Sequence, residues 1–69
     1  MAVRKAVDLT GSGRTIEDAI ASAVDRAGLT LEAITSFDVV QLSGVVDGAE
    51  ISYEVQVRVW FTLLEKMHG

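Results

Sequence analysis

Ile51-Ser52-Tyr53-Glu54-Val55-Gln56-Val57-Arg58-Val59-Trp60-Phe61-Thr62-Leu63 alternates without a break. Ile51, Tyr53, Val55, Val57, Val59, Phe61 and Leu63 fall on one face. Ser52, Glu54, Gln56, Arg58, Trp60 and Thr62 fall on the other. A period of two is the signature of a strand with one buried side. The segment it defines, 49–64, is far longer than the usual strand of about 5–6 residues. One helix cannot cover such a strand, so part of its second face is expected to meet other subunits.

Working outward, Asp47-Gly48 just before it is a hairpin signal, because a type I′ turn needs φ > 0 at both central positions. Before the turn, Ile34 to Val46 is dominated by β-branched residues and shows no helical stripe, so it reads as a second strand. Gly44 within it marks a bulge or a close backbone approach. Leu29 to Ala33 is a connection. Upstream of that, Ile16, Ala19, Ile20, Ala23, Val24 and Ala27 follow helical spacing and make one apolar stripe. Thr15 is the expected N-cap, with Asp18 at the third position in a capping-box arrangement. Gly28 is the expected C′ stop, with Arg26 in the last turn. The stripe is rich in alanine, which lets a helix sit close against a sheet. Residues 3–9 alternate in part, with Val3, Val7 and Leu9 on one face, and make a short first strand. Thr10-Gly11-Ser12-Gly13 is expected to end it. Glu65 to Gly69 is a terminal tail. The fold class is therefore α+β, in the order β-α-β-β across a single domain, 1–69. One helix packs on a three-stranded antiparallel sheet whose first strand pairs with either the third or the second.

Composition sets the bounds on function. The chain has 69 residues, 6 Lys+Arg against 10 Asp+Glu, and a net charge of −4. An acidic balance argues against a nucleic-acid module, whose footprint is basic. The absence of cysteine removes any disulfide framework or thiolate metal site. No apolar run is long enough to span a membrane, and Asp8, Glu17 and Asp18 interrupt any signal-peptide core. The expectation is a soluble, cytoplasmic protein. A domain this small buries only about 60% of the surface its unfolded chain exposes. Without a disulfide or a metal staple, self-association is the expected remedy.

No enzyme constellation is present. A nucleophile needs a base within reach, and the single histidine, His68, stands beside the C-terminus. Gly11-Ser12-Gly13 lies between strand and helix, but neither the dinucleotide fingerprint nor a P-loop lysine is there. It reads as a structural turn. Asp38, Asp47, Glu50 and Glu54 fall on the last two strands and their turn. Hard cations such as Ca²⁺ need several converging oxygens, which several chains at a symmetry axis would supply. Solvated surface carboxylates are the competing reading. Trp60, an aromatic on a polar face, points to a subunit contact, with a ligand platform as the competing reading, and Arg58 is expected to pair with Glu54 or another acidic neighbour at that interface.

The chain resembles the dodecins. The resemblance runs through Leu9-Thr10-Gly11-Ser12, Ala23-Val24-Asp25-Arg26-Ala27, Phe37-Asp38-Val39, Val46-Asp47-Gly48, Tyr53-Glu54-Val55 and Val59-Trp60-Phe61, in that order and spacing. Dodecins are small flavin-binding proteins of bacteria and archaea, in which twelve copies form a hollow shell. The resemblance implies a homododecamer that binds or stores a small flavin-type ligand, FMN or riboflavin, without catalysis. Ser36, Gln41, Ser43, Glu54 and Gln56 are the positions it places near the pocket. In flavin-binding members a tryptophan precedes the aromatic/acidic pair of the second strand and stacks on the isoalloxazine ring. Here that position is Ser36. The third-strand glutamine that bonds the ring edge corresponds to Glu54, and arginines near the pocket correspond to Ser43 and Thr62. Losing one stacking partner removes roughly 1–3 kcal/mol by analogy with nucleobases. The implied pocket is thus a degenerate one. The alternative is a structural or calcium-binding shell, as in dodecin-like proteins lacking the tryptophan, with Asp38 and Asp47 as metal positions.

Overall fold

A computed structural model describes residues 2–29 and 33–64. The expectations for His68, for the 65–69 tail and for the middle of the 29–33 connection lie outside the described residues. Strand β1 spans Ala2–Gly13, helix α1 Ile16–Asp25, strand β2 Ile34–Asp47 and strand β3 Glu50–Leu64. The long alternating segment is the central strand, in the order β1-β3-β2, and both pairings are antiparallel. The register sets most partners of the apolar β3 residues on the apolar face and most partners of the polar ones on the polar face, Lys5 opposite Phe61 and Val45 opposite Ser52 being exceptions.

Helix α1 lies across β1 and β3. Thr15 caps it, its Oγ1 accepting from the Asp18 N–H at 3.0 Å. Ala19 and Ala23 are fully buried against Val55, Val57 and Val59. Leu9, Ile20, Val24 and Tyr53 pack around that cluster. The close approach explains a departure from the sequence reading. Thr10-Gly11-Ser12-Gly13 does not end β1 but continues it, paired with Gln56 through Tyr53. A side chain at Gly11 would run into the backbone of Ala19 and Ala23, with Ala23 Cα only 2.9 Å from its Cβ. The glycine is there because the helix rests on it, not because the chain turns.

Three further expectations shift. The helix ends at Asp25 with Arg26 as its cap, so Gly28, at φ +65°, follows one position later than a C′ residue. The hairpin loop is Gly48-Ala49, since Asp47 pairs with Glu50. Only Gly48 in it has positive φ, at +61°, which is the pattern of a II′ turn with glycine first. The bulges of β2 fall between Ile34 and Ser36 and between Val39 and Gln41, while Gly44 pairs regularly with Tyr53. The second bulge matters for the site. It skips Val40, so Gln41 and Ser43 join Ser36 and Asp38 on the polar face although their numbering parity differs.

The radius of gyration is 15.0 Å and the extents are 61 × 17 × 13 Å. A compact domain of this length would have a radius of about 11 Å. The described core is correspondingly thin, and among the described residues no helix lies over the apolar face of β2. Phe37, Val39, Leu42 and Val46 are 45%, 44%, 48% and 74% exposed.

Candidate functional site

The polar face carries a ladder of side chains set by register. Along β3 run Glu54, Gln56, Arg58, Trp60 and Thr62. Across them on β1 stand Ser12, Thr10, Asp8, Ala6 and Arg4. On β2 stand Ser43, Gln41, Asp38 and Ser36, opposite Glu54, Gln56, Arg58 and Trp60. This face divides into two parts with different chemistry.

One part is a cavity of about 390 Å³ lined by Thr10, Ser12, Gln41, Ser43, Glu54 and Gln56, with Gly11, Val55 and Arg26 completing it. Four of the five ligand positions named from the sequence, Gln41, Ser43, Glu54 and Gln56, share this cavity. The sequence reading missed Thr10, Ser12 and Arg26. The first two were assigned to a turn, and Arg26 to the last turn of the helix. The signal for all three was Gly11. A glycine that admits a helix keeps its strand intact and brings the helix end beside it.

The other part is closed by its own contacts. Trp60 lies between two small neighbours, Ala6 and Ser36. Its Nε1–H donates to Asp38 Oδ2 at 2.9 Å, and the Arg4 guanidinium sits 4.5 Å from its ring centroid. Arg4 Nη2 donates to Ser36 Oγ at 3.3 Å. Arg58 forms a two-bond fork on Asp8, Nε to Oδ1 at 2.9 Å and Nη2 to Oδ2 at 3.1 Å. The hydrogen bond from Arg58 outweighs the desolvation that opposes it and, with the charge of Arg58, holds the Asp8 carboxyl below its ordinary range. The same bond holds Arg58 above its own.

Ser36 therefore sits beside Trp60 and Arg4 and does not line the cavity. Asp38 and Asp47, named as metal positions, are not brought together: Asp38 faces Arg58 and Trp60, whereas Asp47 pairs with Glu50 at the hairpin. Among the described residues no group of three His, Cys, Asp or Glu side chains is placed to hold a metal ion. Arg58 and Trp60, named as interface residues, bond within the chain.

Fold and face together define a class of small β-α-β-β proteins in which a long three-stranded sheet carries a polar, ligand-sized cavity beside one helix. The sequence pattern of the Dodecin family matches residues 3–64. The chain belongs to the dodecin family. A crystal structure of a Thermus thermophilus dodecin with an arginine-to-alanine substitution superposes with a TM-score of 0.80 at 34% identity, covering 94% of this chain and 100% of that one. A tryptophan-to-phenylalanine variant of that dodecin gives the same TM-score, identity and coverage. A further Thermus thermophilus protein structure matches at 0.81 and 34% identity, covering 96% of this chain and 100% of its own. No protein with a curated description matches the chain.

Proposed function

We propose that the chain assembles with copies of itself into a dodecin-type shell, a cytoplasmic homododecamer. The shell holds a small flavin-type ligand, FMN or riboflavin, without turning it over. The observation that carries this reading is the convergence of Gln41, Ser43, Glu54 and Gln56 on one cavity with Thr10 and Ser12. Its volume lies within the roughly 300–1,000 Å³ of small-molecule sites. Hydroxyls and amides there both donate and accept, so they suit a ligand with mixed polar edges and a polyol chain. The bare apolar face of β2 supports assembly, since exposed apolar patches mark contact surfaces.

The pocket is a weakened one. Ser36 offers no aromatic plane where the family stacks its ligand, and Glu54 accepts but does not donate when ionised. Losing roughly 1–3 kcal/mol of stacking lowers affinity about 5- to 150-fold. The test is a titration of the purified protein with riboflavin and FMN, read by flavin fluorescence, with mass measured by light scattering in the same buffer. Saturable quenching by a particle many times the 7.4 kDa of one chain is the expected result. A folded 7.4 kDa monomer overturns assembly. An assembled shell that quenches neither flavin overturns the ligand. The shell then passes to the structural or Ca²⁺-holding alternative, for which a chelator must lower Tm.

A further inference from the structure

We infer that Arg26 is the anion-recognising residue of the cavity and that it selects a phosphate-bearing flavin over the same ring without phosphate. This rests on the flavin-type reading above and adds a specificity determinant to it. Among the described residues Arg26 is the one cationic side chain lining the cavity, and Glu54 the one anionic side chain. The two share the space without forming an ion pair. Among the described residues the salt bridges are Arg14 with Glu50 and Arg58 with Asp8. The cavity thus has a guanidinium and a carboxylate that do not neutralise each other. Such a site fits a ligand with an anionic group for Arg26 and an N–H or O–H donor for Glu54.

The fold supplies Arg26 through the helix contact. Ala23 packs on Gly11, and Gly11 itself lines the cavity. Arg26 follows three residues later as the helix cap, its backbone N–H bonded to Ser22 O at 3.3 Å. Its main chain is therefore fixed relative to β1. A guanidinium presents five donors in a planar fork that matches two phosphate oxygens. The helix C-terminus contributes partial negative charge, roughly half a unit, against the full positive charge of Arg26. The chain as a whole carries −4, so a phosphate has no general attraction to it and depends on a local cation.

The experiment compares affinities for FMN and riboflavin in the wild type, Arg26→Gln and Arg26→Lys, with circular dichroism and light scattering to check that all three fold and assemble alike. The wild type is expected to prefer FMN by about tenfold. Arg26→Gln should bring the ratio to about one by weakening FMN far more than riboflavin, and Arg26→Lys should restore part of it. Added salt should weaken FMN and leave riboflavin unchanged, because only the charged contact is screened. This arm needs no variant. Equal binding of both flavins by the wild type, or an unchanged ratio in Arg26→Gln, overturns the inference while leaving the flavin reading intact. If neither flavin binds, the flavin reading falls and inorganic phosphate decides the role of Arg26. Phosphate line broadening in ³¹P NMR that is present in the wild type and lost in Arg26→Gln upholds the anion site. Its absence from both overturns it.

Discussion

The apolar face of this sheet has two halves with the same alternation and opposite fates. Under α1, Val55, Val57 and Val59 are 2%, 0% and 0% exposed. One strand over, their partners on β2, Leu42, Val39 and Phe37, are 44–48% exposed. The residues are equally apolar, so the difference is cover and not composition. Ten helical residues cannot span three strands of 12 to 15. The covered half holds the monomer together, and the bare half is the surface that the proposed assembly would cover. The ligand cavity lies on the opposite, polar face and draws on both sides of the sheet, since Gln41 and Ser43 belong to β2 and Arg26 follows the helix.

The comparison breaks most violently at Gly11. Gly11→Val puts side-chain atoms into the backbone of Ala19 and Ala23. Neither can yield without moving the helix off the sheet. Overpacking of this kind costs about 3 kcal/mol or more, a large part of the stability of a small domain. Urea denaturation should show a collapse of the midpoint or no folded baseline. A variant with near wild-type stability would mean that the helix does not rest on β1 as described.

Leu42→Asp addresses the other half. Little of its effect should fall on the isolated chain, because Leu42 is half exposed there. Between chains it would bury a charge without a partner, which is strongly unfavourable. Light scattering should show the assembly reduced to smaller species while circular dichroism keeps its strand signal. If the mass stays unchanged, the bare half is not the contact surface and the contrast between the halves loses its meaning.

Val57→Ala against Val46→Ala sharpens the same point within one residue type. Val57 is fully buried and Val46 is 74% exposed. Losing two buried methyls with partial collapse of the site costs about 2 kcal/mol, whereas the same change at Val46, exposed in the single chain and beside the hairpin at the end of the bare face, stays within about 0.5 kcal/mol unless assembly covers it. The denaturant midpoints of the two variants should differ accordingly. Equal losses would show that assembly buries Val46 as deeply as the helix buries Val57.

What the sequence disclosed follows the range over which each signal acts. The alternation of 51–63 and the Thr15 cap are local, and both are found as read. The pairing of β1 was open because nothing within residues 2–13 distinguishes β2 from β3 as its partner. Gly11 was taken for a breaker because its reason, a helix backbone pressed against it, belongs to another part of the chain. The bulge that skips Val40 was invisible for a similar reason. Val39-Val40-Gln41 has no glycine to mark it, and only the demand to keep Gln41 on the polar face reveals it. Arg26 entered the cavity through that same unseen helix contact. The family resemblance brought Gln41, Ser43, Glu54 and Gln56 together in advance, because those positions depend on register and not on local pattern.

The smallest expected effect tests whether the seam between β1 and β3 is held from the helix side alone. Asp8 and Arg58 face each other across that seam on the opposite, polar face. Arg58 lowers the Asp8 pKa in the folded state below its ordinary value of about 3.8. A depressed carboxyl contributes stability that is fully present above its unfolded pKa and fades as pH falls through the folded one. The pair is solvent-exposed, so its contribution is slight and screened by salt. The Tm gap between wild type and Asp8→Asn should therefore be small and constant from neutral pH down to about pH 5. It should close as acid protonates Asp8, since the aspartic acid then resembles the asparagine. A gap that persists unchanged to low pH would show that Asp8 acts through its shape or hydrogen bonding. The seam would then owe its stability to the buried valines and the glycine contact under α1.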